Sequence, residues 1–297
     1  MRILVIGRGF VAQAVIRHLT EAGHAVRVLV PAGEAAGIIP TGVSVDAVVA
    51  SAHDVRGIRA ALVGIDAAVF IPGPVVPPAD ADLLKPIQAA RALAEAAADA
   101  ELPHILHLST LGAEPGSAYP FAKTAGVAEV TLKRSGVPLT ILRTGIPFGK
   151  NDNFTTAIAR LLSATPILPL PKGGATTLHP IWVEDLAAAM ALSVETPPLT
   201  GQKTLEIGGA EHLTLREIVE TVAAAAGKKR PILNVSFVTA RRLTNAALRF
   251  RPDLPLSPHW LDYLAADRTA PVDTLPREFG LLPERLGGKV KAWITRS

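Results

Sequence analysis

Through the first half of the chain, short runs of β-branched and aliphatic residues alternate with longer, alanine-rich stretches of helical period. Residues 3–6, 26–30, 43–49, 67–71, 105–109 and 138–143 read as strands. Continuous apolar runs of this length belong to strands covered on both faces. Between them the pattern predicts helices over residues 10–21, stopped by Gly23, and 55–63, with Asp54 as N-cap. Two more are expected over 82–100 and over 120–135, the latter ended by Gly136. Strands and helices alternating at this spacing imply right-handed βαβ units, hence an α/β fold with a doubly wound parallel sheet.

After Thr144 the rhythm changes. Residues 145–153 read as loop, 154–163 as helix, and 165–174 are rich in Pro and Gly. A strand near 176–182 and a helix over 184–195 look like a return to the sheet. Thr214-Leu215-Arg216-Glu217 is a capping box opening a helix that Gly227 closes. The remainder, punctuated by Pro231, Pro252, Pro255 and Pro258, is expected to lack long regular elements. The division that follows is a sheet domain of 1–144, rejoined by 176–200, and a smaller substrate or interaction lobe of 145–175 and 201–297.

Composition removes several classes of chemistry. Among 297 residues there is no cysteine, which excludes disulfides, thiol nucleophiles and thiolate-held metals. A chain 49% hydrophobic and 19% charged can build a core and is not disordered overall. No apolar stretch approaches the ~18 residues of a membrane span, and the N-terminus lacks the pattern of a signal peptide. The expectation is a soluble, cytoplasmic protein. Eight histidines are scattered without acidic clusters, and His104 and His107 should face opposite sides of a strand, so no metal site is expected.

Lys+Arg exceed Asp+Glu by 30 to 26, a net charge of +4. Between His212 and Arg251 stand eight basic residues against Glu217 and Glu220. Only Phe237 and Phe250 interleave them, which argues against nucleic acid. Two readings stand for this 212–251 region: a solvated face, or a docking surface for an acidic protein or a membrane surface.

The chemistry concentrates at two motifs. Gly7-Arg8-Gly9-Phe10-Val11-Ala12 is a G-x-G-x-x-A turn between the first strand and the first helix. There Gly7 allows a tight turn, Gly9 lets a pyrophosphate approach the backbone, and Ala12 permits close helix–strand packing. The helix N-terminus supplies N–H groups and partial positive charge, so dinucleotide binding follows. Pro72, just past the strand 67–71, is placed with the cofactor contacts. Val30-Pro31-Ala32 stands where an acid usually binds the adenosine ribose, and Glu34 comes later. Arg8 is either a solvated surface residue or a partner for a 2′-phosphate, which tips the reading toward NADP over NAD.

The second motif, Tyr119-Pro120-Phe121-Ala122-Lys123, spaces Tyr and Lys four apart at a helix start. A buried ammonium beside a phenol favours phenolate and makes Tyr119 a candidate general acid/base for a carbonyl or alcohol. Ser109 and Thr110, ending the preceding strand, are candidate donors to the substrate oxygen.

Together these motifs resemble the short-chain dehydrogenase/reductase superfamily, in its atypical and extended branches. Leu108-Ser109-Thr110-Leu111-Gly112-Ala113, Ser117 through Lys123, Ile141 through Gly149 and His179 through Ala187 fall in that order. The similarity runs toward the nucleotide-binding accessory subunit of respiratory complex I and its bacterial relatives, NmrA-like and epimerase-like NAD(P)-binding proteins. Ile167 through Gly174 and Thr204 through Gly209 carry that part of the likeness. The resemblance implies a Rossmann fold and an NAD(P)-dependent oxidoreductase in which Lys123 also binds the nicotinamide ribose. It equally admits a non-catalytic NAD(P)-binding assembly subunit or redox sensor. Pro31, Ser51 and Pro120 stand where that branch carries other residues.

Overall fold

In the computed structural model, which describes residues 1–34, 38–76, 78, 80–196 and 201–294, the apolar runs assemble as one seven-stranded sheet. Strand β1 (Arg2–Gly7) is buried from Ile3 to Ile6 and takes an interior place. The others are β2 (Ala25–Val30), β3 (Asp46–Val49), β4 (Ala67–Ile71), β5 (Ile105–Thr110), β6 (Leu139–Thr144) and β11 (Gln202–Ile207). Their order is β11-β6-β5-β4-β1-β2-β3, every pair parallel. The chain runs outward from β1 through β2 to β3, then crosses back to β4 on the other side. Neighbouring connections therefore leave β1 and β4 in opposite directions, which opens a crevice at their carboxyl ends.

Helix α1 (Phe10–Glu21) packs on α6 (Val183–Glu195), and α2 (Val55–Ala61), α3 (Lys85–Asp99) and α4 (Pro120–Lys133) pack in a row. Asp54 caps α2 as the sequence suggests, accepting from the Arg56 N–H at 3.0 Å. Alanines 89, 90, 92, 94, 96 and 97 form most of the buried face of α3, so the helix lies close to the sheet. Glu184 of α6 accepts from Arg17 Nη2 on both its oxygens (2.7 and 2.8 Å) and lies 3.0 Å from His18 Nε2, both on α1.

The chain divides into two compact units: Met1–Val75, Asp82–Thr144 and Val183–Ile207 form the first, and Val76–Ala81, Gly145–Trp182 and Gly208–Ser297 the second. The first unit resumes at Val183 rather than at 176. It also takes in β11, which the sequence reading gave to the lobe. As an edge strand with its outer residues exposed, β11 lacks the apolar run that marks its neighbours.

In the second unit, β7 (Ile146–Phe148) pairs with β10 (Pro180–Trp182) inside what the sequence presented as loop. Strand β8 (Leu168–Pro171) pairs with β13 (Ile232–Val235), and β9 (Thr177–Leu178) with β12 (Leu213–Thr214). Its longer helices are α5 (Thr155–Ala164), α7 (Leu215–Ala225), opened by the expected capping box, and α8 (Phe237–Phe250). The fourteen-residue α8 overturns the expectation of no long element here. Pro231 and Pro252 flank it rather than interrupt it, and Ser236 caps its start, accepting from the Thr239 N–H at 3.1 Å. Shorter helices α9 (Pro258–Tyr263), α10 (Thr274–Phe279), α11 (Leu286–Lys289) and α12 (Lys291–Ile294) follow.

Three histidines are built into these cores. His104 Nε2 lies 3.0 Å from Thr140 Oγ1, His107 Nδ1 3.4 Å from the Phe70 carbonyl, and His179 Nε2 donates to the Gly209 carbonyl at 2.9 Å. His179 Nδ1 accepts from the Ala270 N–H at 3.1 Å, which fixes its neutral tautomer. Desolvation lowers all three to about 4, below the ~6.5 of an unfolded histidine. Between these values the unfolded chain binds more protons, so folding weakens as pH falls. Each histidine adds up to about 1.4 kcal/mol per pH unit. Urea-unfolding free energies measured from pH 7.5 to 4.5 should decline steeply below about 6.5. A flat profile down to pH 5 would contradict the neutral, buried assignment.

Candidate functional site

Strand β1 ends where Gly7 lies opposite Ile71, the last residue of β4. A Cβ at Gly7 would stand 2.7 Å from Ile71 Cβ and 2.9 Å from its carbonyl oxygen. Gly7 thus serves the close approach of two strand ends, not the tight turn the sequence suggested. The turn belongs to Gly9, whose φ of 86° and ψ of −175° fall in a region essentially restricted to glycine. Gly9 is the N-cap of α1, with no side-chain cap and no acid in the first turn. A Cβ there would meet nothing within 4 Å, so the space over the helix end is open backbone. The first-turn N–H groups and the positive end of the helix dipole fit a pyrophosphate. Ala12 is fully buried and Val11 nearly so, which seats α1 against the sheet; Phe10 and Pro72 are half-buried.

Arg8 and Glu34 are both exposed, and Arg8 Nη1 lies 3.4 Å from Glu34 Oε2. The guanidinium that the sequence offered to a 2′-phosphate thus has a carboxylate partner from beyond β2. Glu34 is the acid that the sequence placed too far along the chain to serve the site.

The second group of residues gathers around α4. Pro120 opens the helix, and Tyr119 is its N-cap at φ −89°, ψ 119°. Proline disfavours the helical region for the residue before it. Tyr119 is half-buried and stands outside the helix, whereas Lys123 lies one turn inside, its N–H bonded to the Tyr119 carbonyl at 3.0 Å. Lys123 is exposed, which corrects the expectation of a buried ammonium. The Tyr119 N–H donates to Ser117 Oγ at 3.1 Å.

The adjacent hydroxyls Ser109 and Thr110 face opposite sides of β5. Ser109 Oγ donates to Glu129 Oε1 at 2.6 Å. Glu129, buried on α4, also accepts from Arg143 Nε at 3.0 Å and Nη2 at 2.7 Å. That bond holds the Arg143 guanidinium above its ordinary range, with burial opposing. Ser109 is therefore committed to an internal ion pair, whereas Thr110 Oγ1 makes only a long bond to the Leu111 carbonyl, at 3.5 Å, and is the hydroxyl more readily given to a substrate. Thr110 is buried opposite Thr144, whose Oγ1 has no hydrogen-bond partner among the described residues.

Two residues that shape this group went unread in the sequence. Glu129 shares the buried face of α4 with Phe121, Ala122, Ala128 and Leu132, and a carboxylate on an apolar face was the signal. Gly126 lets the backbone at Glu114–Pro115 cross α4, since a Cβ would fall 2.3 Å from Pro115 N. Among the described residues no three His, Asp or Glu side chains cluster as a metal site, and no helix is long and apolar enough to cross a membrane.

A family model described as NAD(P)H-binding matches residues 7–197. The chain belongs to that family. As an NAD(P)H-binding protein it shares 28% identity over 115 residues with the mitochondrial NADH dehydrogenase (ubiquinone) 1 alpha subcomplex subunit 9 of Arabidopsis thaliana. That match covers 39% of this chain and 29% of the relative, so the likeness spans under a third of the plant protein.

Two solved structures share the fold over 99% of this chain. The Citrobacter sp. triphenylmethane reductase complexed with NADP(H) superposes at TM-score 0.76 with 20% identity, over 100% of its own chain. The Thermus thermophilus UDP-glucose 4-epimerase complexed with NAD superposes at 0.71 with 20% identity, over 98% of its chain. The Rossmann-like parallel sheet of the NAD(P)H-binding family is thus the fold that the motifs of β1 and β5 imply.

Proposed function

We propose that this NAD(P)H-binding protein is an oxidoreductase of the short-chain dehydrogenase/reductase type acting on a small carbonyl or alcohol. The observation that carries the reading is the placement of Tyr119. Tyr119, half-buried, is the N-cap residue of α4, with Lys123 one turn on. The same unit carries Thr110 and the open N-terminus of α1. Gly7, Gly9 and the first turn of α1 hold the pyrophosphate, with Pro72 beside them. An NAD(P) cofactor held there would supply the hydride chemistry at the substrate carbon. Tyr119 Oη would deliver or take the proton at the substrate oxygen, Lys123 would bind the ribose, and Thr110 Oγ1 would donate a hydrogen bond to that oxygen.

The test is nicotinamide absorbance of the full chain with NADPH or NADH against a panel of ketones, quinones and aldehydes. Turnover on any of them supports the reading. Saturable cofactor binding with no turnover on the panel favours the second reading, a non-catalytic NAD(P)-binding subunit or redox sensor that docks an acidic partner. Two observations favour that alternative: Ser109 is locked onto Glu129, and the curated relatives include subunits of an NADH dehydrogenase.

Arg8 and Glu34 set the choice between cofactors. Arg8→Ala should weaken NADP about tenfold and NAD little, since a charge-assisted bond to the 2′-phosphate is lost. Glu34→Gln should move the preference the other way by releasing Arg8. Equal losses for both cofactors in Arg8→Ala would remove Arg8 as the 2′-phosphate contact.

A further inference from the structure

The second unit contains an apolar cavity of about 300 Å³, walled by residues of that unit alone. Helix α5 contributes Ala157, Ile158 and Leu161; β8 contributes Leu168 and Leu170. Helix α8 lays Ala240, Leu243, Thr244 and Ala247 along the opposite side, a spacing that puts all four on one helical face. Three of these four residues are small, so α8 spans the cavity without filling it. Asp262 of α9 binds Arg241 and ties the two helices together.

Among the described residues no charged side chain lines the space, and the polar groups there are those of Asn153, Thr165, Thr244 and Ser257 with the Trp260 indole N–H. The two aromatic rings in the wall, Phe154 and Trp260, stack on each other at 5.0 Å, so one face of each is already used. The cavity lies at the lower end of the range in which small-molecule sites are found.

We infer that this cavity is a binding site for an unbranched aliphatic chain, separate from the dinucleotide turn and independent of the oxidoreductase reading. The aliphatic wall and the stacked ring pair disfavour a flat aromatic guest, and the lack of a charged lining excludes an ionised group inside. At about 300 Å³ the space admits a chain of limited length only.

The experiment uses the full chain, 10-bromodecanol as a quencher of Trp260 fluorescence, and n-alkanols from hexanol to tetradecanol as competitors. Binding should saturate, and Trp260→Phe should abolish the saturable quenching, since Trp182 and Trp293 stack on each other away from the wall. Affinity should rise about fourfold per added carbon and level off before tetradecanol, where the cavity is full.

Ala157→Phe and Ala247→Phe fill the space from opposite walls. Each should weaken bromodecanol at least tenfold while leaving the melting temperature equal or higher and dinucleotide binding unchanged. Wild-type affinity in both filled variants would overturn the site. So would quenching that never saturates, or affinity that climbs unbroken to fourteen carbons.

Discussion

Tyr119→Phe is expected to lower turnover by about 100- to 10,000-fold with cofactor affinity nearly unchanged, the usual span of a positioned general acid/base. The substitution removes one hydroxyl and keeps the ring, and Tyr119 is held by its backbone: its N–H by Ser117 Oγ, its carbonyl by the Lys123 N–H. The loop leading to it packs against Gly126, so the variant changes chemistry rather than position. Lys123→Met should lower turnover too and also weaken the cofactor, because Lys123 serves both. Measured by nicotinamide absorbance on the best substrate of the panel, wild-type rates in Tyr119→Phe would eliminate the proposed proton path. A loss confined to KM would assign Tyr119 to substrate binding instead.

Glu129→Ala is expected to destabilise the protein by about 3–5 kcal/mol, the usual consequence of removing one partner of a buried ion pair. Arg143 would lose both bonds to Glu129 and keep only Glu206, at 3.6 Å and near the surface. Ser109 would lose its acceptor at the same time. The double variant Glu129→Met/Arg143→Met should recover most of the loss, because an apolar pair of similar volume leaves no charge unpaired. Urea midpoints of the three proteins check this, and a single variant within about 0.5 kcal/mol of wild type would contradict it. The pair also seats α4 on β5 and β6, so a loosened α4 should cost turnover through Tyr119.

The central strands were legible because burial on both faces leaves a continuous apolar run, as in Ile3–Ile6 and Ala67–Ile71. Edge strand β11 and the three-residue β7 were not, since partners distant in sequence impose those pairings and no pattern of their own does. Gly9 was read for the close approach of a pyrophosphate, and the conformation that only glycine adopts easily there shows first in the structure. Gly7 was assigned the right neighbourhood and the wrong reason, its contact with Ile71 being visible only once β1 and β4 are side by side. Ser109 and Thr110 looked equivalent in the sequence. The pleat of β5 separates them, and the carboxylate that claims Ser109 lies twenty residues further on.

Titration calorimetry of the full chain with NADP and with NAD, comparing wild type with Gly9→Ala and Gly9→Asp, tests the central claim most directly. Gly9→Ala adds a methyl that meets nothing within 4 Å and so reports the backbone strain alone. Gly9→Asp adds a carboxylate where the pyrophosphate should lie. Saturable binding in wild type, a modest loss in Gly9→Ala and a loss of about 100-fold or more in Gly9→Asp are the predicted results. Dinucleotide affinity in Gly9→Asp equal to that of wild type, with the protein still folded, would place the cofactor elsewhere and contradict the account.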